Sequence, residues 1–196
     1  MNRGAPGNGR DVERMPPQAV ELERAVLGAM MIDSRAIGRG IELLDASCFY
    51  HLPHAQIYAA MLRMYERNEA VDQLTLAEEL RRENLLEKAG GVVYLASLAT
   101  EVSSSANVDY HARIVLEKAL GRKLIETSAQ VASKAYEGAT DVHELISWAE
   151  QSIFSLTERG MSDGFERLET VLGNTLEQIE NAHRQYSVVS GVETGF

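Results

Sequence analysis

The chain has 196 residues, 45% of them apolar, and a formal net charge of −10. That size supports one core plus an appendage, and the acidic balance argues against a nonspecific grip on nucleic-acid phosphates by this chain alone. Its single cysteine, Cys48, excludes an internal disulfide and a multi-cysteine zinc site and fits a reducing, cytoplasmic setting, and no apolar run approaches the roughly 18 residues of a membrane span.

Residues 1–15 are polar and Gly-rich, lack a signal-peptide core and read as a tail. From residue 16 onward almost every segment reads as helix. Pro16-Pro17 precede a helix with Ala19, Leu22, Val26 and Met30 on one face. Gly28 inside it costs roughly 1 kcal/mol against Ala, which marks a close helix crossing. A shorter helix is predicted over Ser34–Leu44, and a third over Pro53–Arg67, with Pro suited to its first turn. Thr75-Leu76-Ala77-Glu78 has capping-box spacing and predicts a helix from there to Asn84. Gly90-Gly91 break the chain before a short helix over Val92–Ala99. Gly91-Val92-Val93-Tyr94-Leu95 is the one strand-like run, and Ser103-Ser104-Ser105 reads as a loop.

A helical hairpin follows. Asn107 is placed as the cap of a long helix to Tyr136, with Leu116, Leu120, Leu124, Val131 and Ala135 on one stripe. Ile114, Ile125 and Ala132 form a second stripe about 100° away. Gly138 turns the chain, and Asp141 with Glu144 caps a returning helix to Arg159. Its Val142, Leu145, Ile146, Ala149, Ile153 and Leu156 make a narrow seam that fills one face of the longer helix. The other face is left for the globular unit, a partner or a second copy. A last helix is predicted over Glu166–Tyr186. Its stripe of Leu168, Val171, Leu172, Leu176, Ile179, Ala182 and Tyr186 has no local partner and needs a surface to bury it. That partner is expected in another chain or in a further part of the same protein.

Chemistry-bearing motifs are sparse. There is no Gly-x-x-x-x-Gly-Lys-Ser/Thr phosphate loop, no Gly-x-Gly-x-x-Gly and no His-Glu-x-x-His. His51 and His54 have i, i+3 spacing but no third ligand nearby, so they read as the start of a helix beside Phe49-Tyr50 and Tyr58. Asp109-Tyr110-His111 reads as helix capping. Glu78-Glu79 and Glu83 read as a solvated face rather than an acid/base pair, and Arg81-Arg82 and Arg122-Lys123 as solvated basic pairs. Cys48 reads as a small buried hydrophobe. Trp148 lies off the seam and reads equally as a contact anchor or as part of a second buried face.

The run Pro17…Glu21-Leu22-Glu23-Arg24-Ala25-Val26-Leu27-Gly28, followed by Phe49-Tyr50…His54…Ile57-Tyr58, resembles the N-terminal domain of the DnaB-type bacterial replicative DNA helicases. Val71-Asp72…Thr75-Leu76…Leu80, Gly90-Gly91…Tyr94-Leu95 and Ala106-Asn107-Val108…Tyr110-His111-Ala112 continue the resemblance. Order and spacing over residues 16–136 carry it. Gly191-Val192-Glu193-Thr194-Gly195-Phe196 is similar to the start of that family's RecA-like motor domain.

The resulting expectation is an all-α chain. It has a tail (1–15), a globular helical subdomain (16–106), a hairpin (107–160), a linker with an amphipathic helix (161–190) and the start of a motor domain (191–196). The resemblance implies an ATP-driven helicase whose N-terminal domains pair through their hairpins into a trimer-of-dimers collar over a hexameric ring. It implies that the linker helix docks on the neighbouring motor domain through Leu168, Val171, Leu172, Leu176, Ile179 and Tyr186. It further implies a collar that receives primase, with Tyr94, Ile125 and Val131 at the positions tied to that contact, and work with a helicase loader and with single-stranded DNA in the assembled ring. ATP and magnesium would belong to the motor domain, so no cofactor, metal or catalytic residue is expected in this stretch and no membrane partner. A free-standing helical adaptor or loader-like protein is the alternative.

Overall fold

The computed structural model describes residues 15–160, apart from 103, 139 and 140. Residues 1–14 of the predicted tail, the linker-helix residues Leu168, Val171, Leu172, Leu176, Ile179 and Tyr186, and the motor-domain start lie outside the described residues. Among the described residues the fold is all-α, with seven helices and one short 3-10 turn.

The helices are α1 (Val20–Ile32), α2 (Ser34–Leu43), α3 (Leu52–Glu66), α4 (Gln73–Arg82), α5 (Gly91–Glu101), α6 (Val108–Glu137) and α7 (Val142–Gly160). The 3-10 turn, Ala46–Cys48, precedes α3. Helix α1 is central and packs against α2, α3, α5 and α6. Its Val26, Leu27 and Met30 are fully enclosed with Ile57, Met61, Leu76, Leu80, Leu95 and Leu98 from α3, α4 and α5. The Tyr58 hydroxyl enters this core and donates to the Leu44 carbonyl at 2.6 Å, so its polar end is not stranded. Cys48 is buried, as its sequence setting suggested, and burial pushes its thiol pKa up.

Gly28 is a close crossing. A Cβ built there would lie 2.3 Å from the Leu98 carbonyl oxygen and 2.7 Å from Val102 Cγ2. The backbones of α1 and α5 therefore meet where only glycine fits.

Local signals were displaced in two places. The capping box of α4 starts three residues earlier than its spacing suggested. The Asp72 carboxylate accepts from the Leu74 and Thr75 backbone N–H groups at 2.8 and 3.0 Å, and Thr75 Oγ1 accepts from the Asp72 N–H at 3.0 Å. Aspartate is the stronger cap, and it moves Thr75 to the third helical position, while Glu78 pairs with Arg81. The strand-like run 91–95 opens α5. Gly90 takes φ +99° and breaks the chain, and burial of Leu95 and Leu98 outweighs the β-preference of Val92-Val93. The Asn107 side chain makes no capping hydrogen bond to α6. Asp141 does cap α7, accepting from the His143 N–H at 2.8 Å, and Gly138 turns the chain at φ +63°.

Helix α6 serves two parts of the molecule. Its first half buries Val108, Ala112 and Val115 against the globular core, a row that the larger leucines of the predicted stripes obscured. Its second half packs against α7. Helix α7 turns Leu145, Trp148, Ala149, Ser152 and Leu156 partly inward, while Val142, Ile146 and Ile153 of the predicted seam stay exposed. The exposed row lies about 80° round the helix from the packed one. Trp148 belongs to the packed side, with Lys134 Nζ 4.7 Å from its ring centre.

Two expectations of solvated charge were also wrong. Glu79 is buried and pairs with Arg67 at 2.7 Å and with Arg82. Arg122 is half-buried and donates to the carbonyls of Pro17 (2.8 Å) and Cys48 (2.7 Å). The carbonyls just before α1 and at the end of the 3-10 turn recruit a side chain whose forked donors reach both. Glu83, for its part, pairs with Arg63.

Gly28→Ala is expected to lower unfolding stability by about 1–3 kcal/mol, because a rigid backbone carbonyl cannot yield to the added methyl. Chemical denaturation of the purified variant checks this; an unchanged midpoint would contradict the crossing.

Candidate interaction surface

A buried polar chain joins three helices beside the surface. Glu23 is 1% exposed on α1, in the same row as Val26, Leu27 and Met30. A carboxylate in that setting must be given donors. The backbone N–H groups of Tyr50 and His51 supply two, at 2.7 and 3.3 Å, and His54 Nδ1 lies 2.7 Å away. Burial alone would raise the Glu23 pKa; the His54 and backbone hydrogen bonds outweigh it and hold the group below the usual carboxylate value. His54, wholly buried on α3, has its Nε2 2.6 Å from the Tyr94 hydroxyl on α5.

Tyr94 is half-buried, and burial raises its hydroxyl pKa. The Arg24 guanidinium lies 5.3 Å from its ring centre and forms an ion pair with Glu101 at the far end of α5. His51 sits edge-on to His54 at 4.6 Å between ring centres, and the next ring along the surface, Tyr50, lies 5.5 Å from the Arg122 guanidinium on α6. Ile125 follows Arg122 by three residues, one turn along the same helix.

This geometry locates the predicted contact residues. Tyr94 stands on α5; Ile125 is exposed on α6, and Val131 is half-covered on α6. Contacts join Tyr94 to His54 and His54 to His51, and the adjacent Tyr50 to Arg122, one turn before Ile125 on α6. Val131 is six residues past Ile125, about 120° round the helix, and faces a different side. Glu23, Arg24 and Arg122 carry the arrangement but received no role from the sequence. A glutamate in the apolar row of α1 was the one available signal for a buried partner.

The second surface is the hairpin. Leu124 and Ile125 on α6, and Val142, Ile146, Ile153 and Phe154 on α7, are each about half or more exposed, and Tyr136 is 93% exposed. Val142, Ile146 and Ile153 form one row on α7, and an exposed apolar row on a two-helix arm has the composition of a docking face. Among the described residues no group of three or more His, Cys, Asp or Glu side chains is placed to hold a metal.

A family model of the DnaB-like helicase N-terminal domain matches residues 15–117. The chain belongs to that family. It is 45% identical over 183 residues to the replicative DNA helicase DnaB of Rhodothermus marinus, covering 93% of this chain and 19% of that protein. It is 38% identical over 184 residues to the replicative DNA helicase DnaC of Bacillus subtilis, covering 94% of this chain and 40% of that one. The chain thus spans well under half the length of these relatives. The crystal structure of the N-terminal domain of DnaB helicase from Mycobacterium tuberculosis superposes with a TM-score of 0.69 at 39% identity, covering 72% of this chain and 99% of that one. A structure of a DnaB-like replicative helicase and its interactions with primase gives 0.62 at 26% identity, covering 89% and 39%.

Because the folded Glu23 pKa is lowered, its stabilising contribution is fully present above the unfolded carboxylate value near 4.3 and is lost as pH falls through the folded value. Glu23→Gln is expected to be less stable than the parent at pH 7 and to show a shallower loss of melting temperature between about pH 4.5 and 3. Parallel acid slopes for the two proteins in thermal melts would refute the assignment.

Proposed function

We propose that the chain is the N-terminal collar and linker region of a replicative DNA helicase that uses ATP to unwind duplex DNA at the fork. Within it, this stretch serves self-association and primase docking. The observation that carries the reading is the exposed apolar row on the hairpin. A two-helix arm with apolar residues on its outer side is suited to pair with a copy of itself, since an isologous contact brings the same row from both partners together. The shared core of α1, α5 and α6 gives that arm a rigid base.

Primase docking is proposed at the surface that runs from Tyr94 to Ile125, with Val131 on the adjoining face of α6. The neighbouring structure described with primase supports primase as the partner, and the resemblance supplies the position. The relatives' function supports the wider proposal of a hexameric ring, with the collar as a trimer of dimers and single-stranded DNA passing through it. A helicase loader is a further proposed partner. The stripe Leu168, Val171, Leu172, Leu176, Ile179 and Tyr186 is proposed to dock on the neighbouring subunit's motor domain, where ATP and magnesium would act.

Ile146→Asp is expected to abolish self-association of the chain, read as molar mass by light scattering, while helical circular dichroism is unchanged. An unaltered mass would remove the hairpin from the interface. Ile125→Asp is expected to weaken calorimetric binding of the cognate primase C-terminal domain at least about tenfold, the scale of one lost apolar anchor. Unchanged affinity in a folded variant would rule out this face as the docking site.

A further inference from the structure

The buried chain of Glu23, His54 and Tyr94 is more than a way to satisfy a core. The Glu23 carboxylate only accepts hydrogen bonds, so the His54 nitrogen facing it carries the proton. The other ring nitrogen, Nε2, is hydrogen-bonded to the Tyr94 hydroxyl at 2.6 Å. The hydroxyl is therefore spent inward. Arg24 covers the ring and is itself fixed by Glu101. What Tyr94 has left to offer a partner is its ring, beside Val92 at 40% and Val93 at 84% exposure.

Three independent restraints act on one half-exposed tyrosine: a hydrogen bond at its tip, a cation against its ring and the Gly90 turn beneath it, where an added Cβ would meet the ring at 2.7 Å. A core tyrosine has no need of so many. A contact tyrosine gains from them, because a side chain already held in its bound orientation loses no rotamer freedom on docking.

We propose that His54, buttressed by Glu23, is a positioning residue for Tyr94 and holds its ring in the orientation that primase docking uses; the inference rests on the docking reading above. His54 touches no partner. It acts through one hydrogen bond.

The test is calorimetric titration of the 196-residue chain with the primase C-terminal domain, for the parent, His54→Leu, His54→Gln, Tyr94→Phe and the His54→Leu/Tyr94→Phe pair. Circular dichroism confirms folding at the titration temperature. His54→Leu and Tyr94→Phe are each expected to weaken binding about two- to tenfold, the worth of one pre-ordered side chain. The double variant is expected to bind no more weakly than either single one, since both remove the same bond. His54→Gln, which retains a donor toward Glu23 and an acceptor toward Tyr94, is expected to recover most of the loss.

A lowered melting temperature with unchanged affinity in His54→Leu would make the residue structural and overturn the proposal. Loss in Tyr94→Phe alone would mean that the hydroxyl acts on the partner directly, and additive losses would mean that the two residues act separately; either overturns it. If His54→Leu does not fold, Tyr94→Phe breaks the same bond without opening a cavity, and unchanged affinity there is equally decisive. Absence of saturable binding by the parent chain would instead sink the docking reading and this inference with it, whereas parent binding indifferent to these variants sinks the inference alone.

Discussion

A negative charge buried in the first turn of α1 is the constraint around which this fold is arranged. Glu23 lies in a row of residues that are otherwise apolar, and removing a carboxylate from water costs several kcal/mol unless donors replace the solvent. The donors come from the junction that leads into α3 and from His54 inside that helix. His54 in turn has a second nitrogen to satisfy, and Tyr94 of α5 provides for it. One buried charge thus ties the start of α3 and the first turn of α5 to α1. Gly28, about a turn and a half further along α1, lets α5 approach closely.

The second constraint is the length of α6. Thirty residues of helix span roughly 45 Å, more than the globular subdomain alone requires. Val108, Ala112 and Val115 commit the first half to the core, Arg122 ties the middle to Pro17 and Cys48, and the second half runs out to meet α7. The hairpin is consequently an extension of the core rather than a module hung from it. Its exposed leucine, isoleucines and phenylalanine stand on a base that is already rigid.

The helices themselves were legible in the sequence because they follow from local rules: spacing of apolar residues, proline in a first turn and glycine at the breaks. Gly28 was legible as a close crossing for the same reason, since a costly residue inside a helix needs a cause. What escaped were features decided by partners far along the chain. Arg122 gave no hint that two distant carbonyls would claim it. Glu79 looked like one of several surface acids until Arg67 and Arg82 enclosed it. The face of α6 that enters the core is lined by alanine and valine, and side-chain size drew attention to the leucines instead. In the proposed contact surface, Tyr94 and Ile125 were named through a resemblance, while the contacts of His51, His54, Tyr50 and Arg122 became apparent only once α3, α5 and α6 were placed together.

Because a single unbroken α6 is gripped at one end by the core and carries the hairpin face at the other, the angle between them is written in residue count. Each residue of α-helix turns the chain by about 100°. Adding or removing one between Arg122 and Thr127 would leave both ends intact and helical yet swing the outward row of the hairpin round by that amount. Substitutions can be tolerated along this stretch one at a time, but its length behaves like the tooth count of a gear: the chain can change what it presents there far more easily than it can change where it points.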